Sequence, residues 1–411
     1  MIAQYGNAVV VLLIPLFLIL SCNAETESEQ VYPKIDRIIA EGIDERLFPG
    51  AVVLIAEGDQ VLHHKAYGHA NAMDAEKSLL TVPEPMTIGH LFDLASLTKV
   101  LATTYGIMIL EDQGKISVDD PVSDYLPEFA AGSKNSITVR HLLTHTSGLM
   151  QWFPTYYVAS DKSERQQFIS GQPLHNPVGE ARSYSDFGFM VLSDLIEEVS
   201  GHSLDEFLNE QLYRPLGLEH TLFNPSAENH ADIVSTSHGN PFERRMVYDD
   251  DFGYKIDIDP EAWDEWRSHT LHGEASDANA FHTHQGIAGH AGLFSTASDI
   301  YKLLFALSDS TTAVVGDSTV AKFLSPDQFG EGLGWMMTPN SLHAPDDLPR
   351  SSFGHTGFTG TNIVVVPRTE HIIIVLTNRQ NYGVLESGYY PNLREFRMRI
   401  VEAVLEDPLV F

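Results

Sequence analysis

Apolar residues first recur at helical spacing, at Ile35, Ile38, Ile39, Ile43 and Leu47, and then crowd into a β-rich run from Ala51 to Ala56. A change of period of this kind marks the passage from an amphipathic helix to a strand. Glu57-Gly58-Asp59-Gln60 reads as a turn, and Val61 to Tyr67 as a second strand. The C-terminal end mirrors this arrangement. Asn362 to Val366 and His371 to Thr377 read as two strands joined by Pro367-Arg368-Thr369-Glu370, and an amphipathic helix follows from Leu393 to Leu405. Between the two ends, the chain from Leu101 to Leu307 reads mostly as helices and long loops. Strands at both ends around a helical middle predict an α+β fold. One antiparallel sheet is completed by both termini and flanked by helices, with an inserted, mostly helical region.

The N-terminus follows another pattern. Ala8 to Leu20 is an unbroken uncharged run, too short for a comfortable membrane span and suited to a signal-peptide core. It ends at Cys22, the only cysteine, so no intramolecular disulfide can form. Ile19-Leu20-Ser21-Cys22 resembles a bacterial lipobox, which implies acylation of Cys22; Cys22-Asn23-Ala24 also reads as an ordinary small-residue cleavage site. The expectation is a signal peptide over residues 1–24 and one hydrolase-sized unit over 25–411. The protein would then be exported, periplasmic or at the cell surface, and held on the membrane through a lipid anchor if Cys22 is acylated.

Charge narrows the partners. With 56 acidic against 25 basic residues the net charge is −31, a field that repels nucleic acid and anionic lipid surfaces. No basic patch, zinc-finger spacing or phosphate-binding glycine loop interrupts it. The histidines at 269, 272, 282, 284 and 290 crowd together, but no His-Glu-x-x-His spacing is present, so they read as loop histidines and no metal is called for.

The chemistry gathers at Ser96-Leu97-Thr98-Lys99. A serine and a lysine three apart at the start of a helix face the same way, so the amine can take the hydroxyl's proton. The helix N-terminus favours the developing negative charge. Taken alone, the pair reads more readily as an N-cap serine and a surface lysine, and its companions along the chain reverse that reading. Two further stations follow in order, Tyr184-Ser185-Asp186 and His355-Thr356-Gly357.

Together the three stations resemble the serine β-lactamase and penicillin-binding protein family, in its class C β-lactamase, D,D-carboxypeptidase and esterase branch. Val139-Arg140-His141-Leu142-Leu143-Thr144-His145-Thr146-Ser147-Gly148-Leu149, Pro215-Leu216-Gly217-Leu218 and Gly289-His290-Ala291-Gly292-Leu293-Phe294-Ser295-Thr296 extend the likeness, which is nearest to penicillin-binding protein 4B-like serine hydrolases. The resemblance implies catalysis by Ser96, Lys99 and Tyr184, with Tyr184 as general base toward Ser96. It also implies substrate contacts from Asp186, His355, Thr356, Gly357 and Phe358, and an oxyanion hole from the N–H groups of Ser96 and Phe358. No cofactor or metal is implied, and the substrate is a small molecule or peptide, peptidoglycan-derived peptides included.

Two departures from the family pattern shape the expected specificity. Asp186 stands where many relatives carry asparagine, and a carboxylate there would keep Lys99 protonated. His355 stands in place of a lysine, and a histidine near its ordinary pKa is partly charged at neutral pH. Small esters are therefore expected ahead of β-lactams, with the preference narrowing below pH 6 as His355 protonates. Trp152-Phe153-Pro154-Thr155-Tyr156-Tyr157 reads either as a groove wall or as a packed loop. The leading function is an exported, D,D-carboxypeptidase-like or esterase-like serine hydrolase. A β-lactamase and a non-catalytic binding or scaffold protein that retains the fold are the alternatives.

Overall fold

The computed structural model describes Met1 and residues 33–225, 232–309 and 311–406. The N-terminal apolar run and Cys22 lie outside the described residues. Helix α1, Pro33–Asp44, buries Ile35, Ile38 and Ile39 and leads into strand β1, Gly50–Glu57. Strand β2, Gln60–Met73, turns back along β1 and runs six residues beyond the expected end at Tyr67. Its extension pairs with β3, Leu79–Pro85, an element the sequence pattern does not announce. The reason is physical. β3 is an edge strand with Leu79 and Val82 exposed and prolines at 83 and 85, so it has no buried face to print an alternation.

The late strands are β4, Phe353–Thr356, β5, Asn362–Val366, and β6, His371–Thr377. All six strands form one antiparallel sheet in the order β3-β2-β1-β6-β5-β4. The first and last long strands meet at its centre, from Ala51 opposite Thr377 to Glu57 opposite His371.

Period-2 alternation divides the side chains between two cores. Val52, Leu54, Ile372, Ile374 and Leu376 face the helical middle region. Val53, Ile55, Ile373 and Val375 face α1 and the C-terminal helix Arg394–Glu406, where Ile400, Val401 and Val404 close the layer. The β1 and β6 runs are therefore continuously apolar because both faces are covered.

Within the middle region, helix α2, Tyr105–Asp112, packs against α4, Asp186–Ser200, and α4 packs against the short α3, Val139–Leu143. Ser185 caps α4, its Oγ accepting from Gly188 N at 3.3 Å, and Gly201 ends it at φ +74°. A small three-stranded sheet joins Phe92–Asp93 to Leu293–Ser295 and Leu222–Phe223, tethering the approach to Ser96.

Candidate active site

Ser96 lies in a 3₁₀ turn, Ala95–Leu97, followed by a π-helical stretch, Lys99–Thr104, that runs into α2. The expected regular α-helical start is thus a tight turn followed by a wide one. Lys99 Nζ still lies 3.1 Å from Ser96 Oγ. Immediately before the serine, Ala95 has φ +46°. An L-residue in this left-handed region costs about 1–2 kcal/mol, and such strain persists only where the surroundings enforce it. Asp93 does the enforcing: Ala95 N donates to its Oδ1 at 2.8 Å, and Ser276 N to its Oδ2 at 2.6 Å. Burial pushes the Asp93 carboxyl up to about 6 against the pull of those two amides.

The turn between β4 and β5 is fastened to the same segment. Thr359 Oγ1 donates to Asp93 O at 2.7 Å and Thr361 Oγ1 to Leu94 O at 3.1 Å. A Cβ at Gly357 would meet Leu94 O at 2.6 Å, so close approach demands glycine there. Gly357 follows β4, which ends at Thr356.

Lys99 is fully buried, and its Nζ reaches Asp186 Oδ1 at 2.7 Å and His290 O at 3.0 Å besides Ser96. Burial alone would lower its pKa, but the charge of Asp186 outweighs it and holds the ammonium above its ordinary value. Lys99 is a cation at working pH and cannot accept the serine proton in this state. Tyr184 is also buried, and its hydroxyl bonds both Ser96 and Lys99. Its pKa is raised, by burial first, with Lys99 pulling down and Asp186 adding to the rise, so the phenol rests neutral.

His145 holds Tyr184 in place. His145 O accepts from Ser183 N at 2.8 Å, His145 Nδ1 accepts from Ser185 N at 3.0 Å, and its ring packs 4.4 Å from that of Tyr184.

His355 overturns the charge expectation. It is 1% exposed, and burial, then the positive charge of Lys99, drives its pKa down to about 3. Its Nδ1–H donates to Thr356 O at 2.8 Å. A neutral His355 cannot grip an anion at neutral pH, and the expected change near pH 6 is lost with it. Nor do His355, Thr356 or Gly357 line the cavity beside Ser96, whereas Tyr184, Asp186 and Phe358 do.

That cavity has a volume of about 400 Å³. Trp152 and Tyr254 line it and stack with ring centroids 6.3 Å apart, while Phe153 packs on Phe168 at 4.9 Å. The aromatic loop is therefore groove wall at Trp152 and packed loop just after it. Glu243 and Asp277 also line the cavity and are absent from the sequence-derived set. Asp277 had a readable signal as the N-cap of Ala278–His284; Glu243 had none in so acidic a chain. The five histidines separate into different settings. His269 bonds Glu274, His272 faces Ser235, His282 packs on Trp263, and His284 packs on His290, which bonds Asp277 at 3.0 Å.

A seryl hydroxyl between a buried lysine and a tyrosine, on a turn fastened to a two-core sheet, defines an active-site serine enzyme of the β-lactamase and transpeptidase fold. The Beta-lactamase family model matches residues 35–394, and the chain belongs to this family of serine hydrolases. It is 31% identical over 386 residues to an Escherichia coli K12 protein named as a D-alanyl-D-alanine carboxypeptidase, covering 88% of this chain and 85% of that one. It is 30% identical over 407 residues to a Bacillus subtilis 168 protein named N-acetylmuramyl-L-alanine amidase, covering 91% and 87%. Among solved structures, EstCE1, a hydrolase with promiscuous acyltransferase activity, is similar with a TM-score of 0.67 at 22% identity, covering 90% of this chain and 97% of that one. The class C β-lactamase of Rhodobacter sphaeroides is similar with a TM-score of 0.64 at 19% identity, covering 91% and 99%. At these identities the solved structures establish the fold.

Proposed function

We propose that the protein is an exported hydrolase that cleaves esters or peptide-like acyl donors through an acyl-enzyme on Ser96. The observation that carries this reading is the 3.1 Å approach of Lys99 Nζ to Ser96 Oγ at the wall of an open cavity, with Tyr184 bonded to both. Lys99 is held as an ammonium by Asp186, so its part is electrostatic. It favours the ionised minority of Tyr184, whose phenolic proton has gone to solvent and which takes the serine proton, and it steadies the negative charge that develops. Tyr184 passes that proton to the leaving group, and water then attacks the ester with Tyr184 again as base. Ser96 N and Phe358 N are proposed as the oxyanion donors, since both residues line the cavity.

An esterase-like preference is favoured over β-lactam turnover, because among the described residues no lysine or arginine lines the cavity to receive a β-lactam carboxylate. Export rests on the apolar run before Cys22, and the lipid anchor on Cys22 itself. A fluorophosphonate should add once, at Ser96, by intact-protein and peptide mass spectrometry. Failure to label, together with no turnover of p-nitrophenyl esters, D-amino-acid peptides or nitrocefin, would leave a non-catalytic protein that keeps the fold. Metabolic labelling with a palmitate analogue should mark the wild type and spare Cys22→Ser; equal labelling of both sinks the anchor.

A further inference from the structure

Among the described residues three carboxylates line the cavity beside Ser96, those of Asp186, Glu243 and Asp277, and no lysine or arginine does. Asp186 is neutralised by Lys99. Asp277 lies in the field of Lys99 and His290, and Glu243 in that of Arg267. Glu243 Oε1 accepts from Ala278 N at 3.0 Å and its Oε2 from the Asn240 side-chain amide, so both of these donors are neutral. Asp277 Oδ1 accepts from Ala280 N at 2.8 Å and from His290 Nε2 at 3.0 Å.

The nearby guanidinium groups are already committed. Arg267 donates to Asn240 Oδ1, Ala275 O and Ser276 O and lies over the Phe281 ring at 4.1 Å. Arg379 donates to the carbonyls of Phe358 and Pro391.

Aromatic rings make up much of the remaining cavity wall. Trp152 and Tyr254 stand on it with Phe242, Phe358 and Tyr390, and the Phe242 and Phe358 rings lie 5.1 Å apart. Aromatic faces attract ammonium groups, and carboxylates beside them supply the counter-charge. Among the described residues no group of three or more His, Cys, Asp and Glu side chains converges to hold a metal ion, which separates this pair from a metal site.

We propose that the acyl donor of this site carries a protonated amine, received by the carboxylates of Glu243 and Asp277 and the aromatic wall while its carbonyl meets Ser96. This inference rests on the reading of Ser96 as nucleophile. Burial and Asp277 push the Glu243 carboxyl up to about 8, so an arriving ammonium would draw it from the neutral acid to the carboxylate. Carboxylate-bearing donors meet the opposite field and are excluded.

Two p-nitrophenyl esters of equal size, the 3-aminopropanoate and the butanoate, test this, with the hydrogen succinate as an anionic control. Each kcat/KM is divided by the ester's uncatalysed hydrolysis rate to remove the inductive effect of the ammonium. The normalised value should be at least tenfold higher for the amine ester than for the butanoate, and lowest for the succinate. Glu243→Gln keeps an acceptor for Ala278 N and should collapse the amine-to-butanoate ratio to within threefold of unity. On the wild-type protein, n-butylammonium should inhibit butanoate hydrolysis competitively and butanoate should not. Equal normalised rates for the two esters, or a preference that survives Glu243→Gln, overturns the proposal while Ser96 labelling stands. Absence of both labelling and ester turnover brings down the nucleophile reading on which it rests.

Discussion

Replacing Asp186 with asparagine isolates the charge that decides which group handles the proton. Lys99 is wholly buried, and Asp186 Oδ1 lies 2.7 Å from its Nζ. At an effective dielectric of about 20, two unit charges at that separation attract by about 6 kcal/mol, part of which offsets the cost of desolvating both. Breaking a buried pair by removing one partner costs about 3–5 kcal/mol, equivalent to about 2–4 pH units on the remaining group. With Asp186 neutral, the burial of Lys99 goes largely unopposed and its pKa should fall by about that much.

The sign of the stability effect follows. Lys99 has a folded pKa above its unfolded one, so the pair's contribution is fully present below the unfolded pKa of about 10.4 and is lost as pH rises through the folded value. Urea unfolding at pH 7 should show the variant about 3–5 kcal/mol less stable, and the gap should close above pH 10. In kcat/KM on p-nitrophenyl acetate from pH 6 to 10, the wild type should show no Lys99 ionisation, whereas Asp186→Asn should gain an alkaline one as neutral Lys99 becomes available as a base. Superimposable pH profiles and equal stabilities would refute the reasoning, because Lys99 would then not depend on Asp186.

Ser96→Ala should abolish turnover and labelling with the fold intact, and Lys99→Ala should be nearly as damaging, with the double variant no worse than the singles because the pair acts as a unit; steady-state kinetics against circular dichroism decides it. His145 has φ +58°, a region that asparagine visits readily. His145→Asn keeps both an acceptor for Ser185 N and the backbone shape, so it should retain more kcat than His145→Ala, which should lose about 2–4 kcal/mol of stability in urea. His355→Lys would place an ammonium in a buried site already under the positive fields of Lys99 and Arg182, so its melting temperature should drop and its nitrocefin hydrolysis should not rise. In the wild type, the ratio of ester to nitrocefin rates should stay level from pH 5 to 8.

The outer frame of this fold was legible because it rests on local pattern. Ile35, Ile38 and Ile39 announce α1, and the runs at 51–56 and 371–377 announce strands covered on both faces. β3 was not, since exposed Leu79 and Val82 leave no apolar face to detect. The Ser96, Lys99 and Tyr184 cluster was legible through three ordered stations in the chain. The charge of His355 was not, because its 1% exposure is created by the packed sheet and is no property of the residue type. Asp93 and Glu243 drew no notice for a related reason. A chain with 56 acidic residues offers no way to tell, before folding, which of them turn inward.

The meeting of β1 with β6 also sets when the protein becomes competent. A ribosome delivers Ala51 long before Thr377, yet each is the other's sheet partner, and the turn that pins Asp93 and Leu94 comes from residues 359 and 361. Closing so large a loop must wait for the end of synthesis and makes folding slow. Until that moment the segment before Ser96 lacks the bonds from Thr359 and Thr361 that fasten it to the sheet. A nascent or truncated chain thus carries Ser96 without its support, and hydrolytic competence should arrive in one late step when the last strand docks.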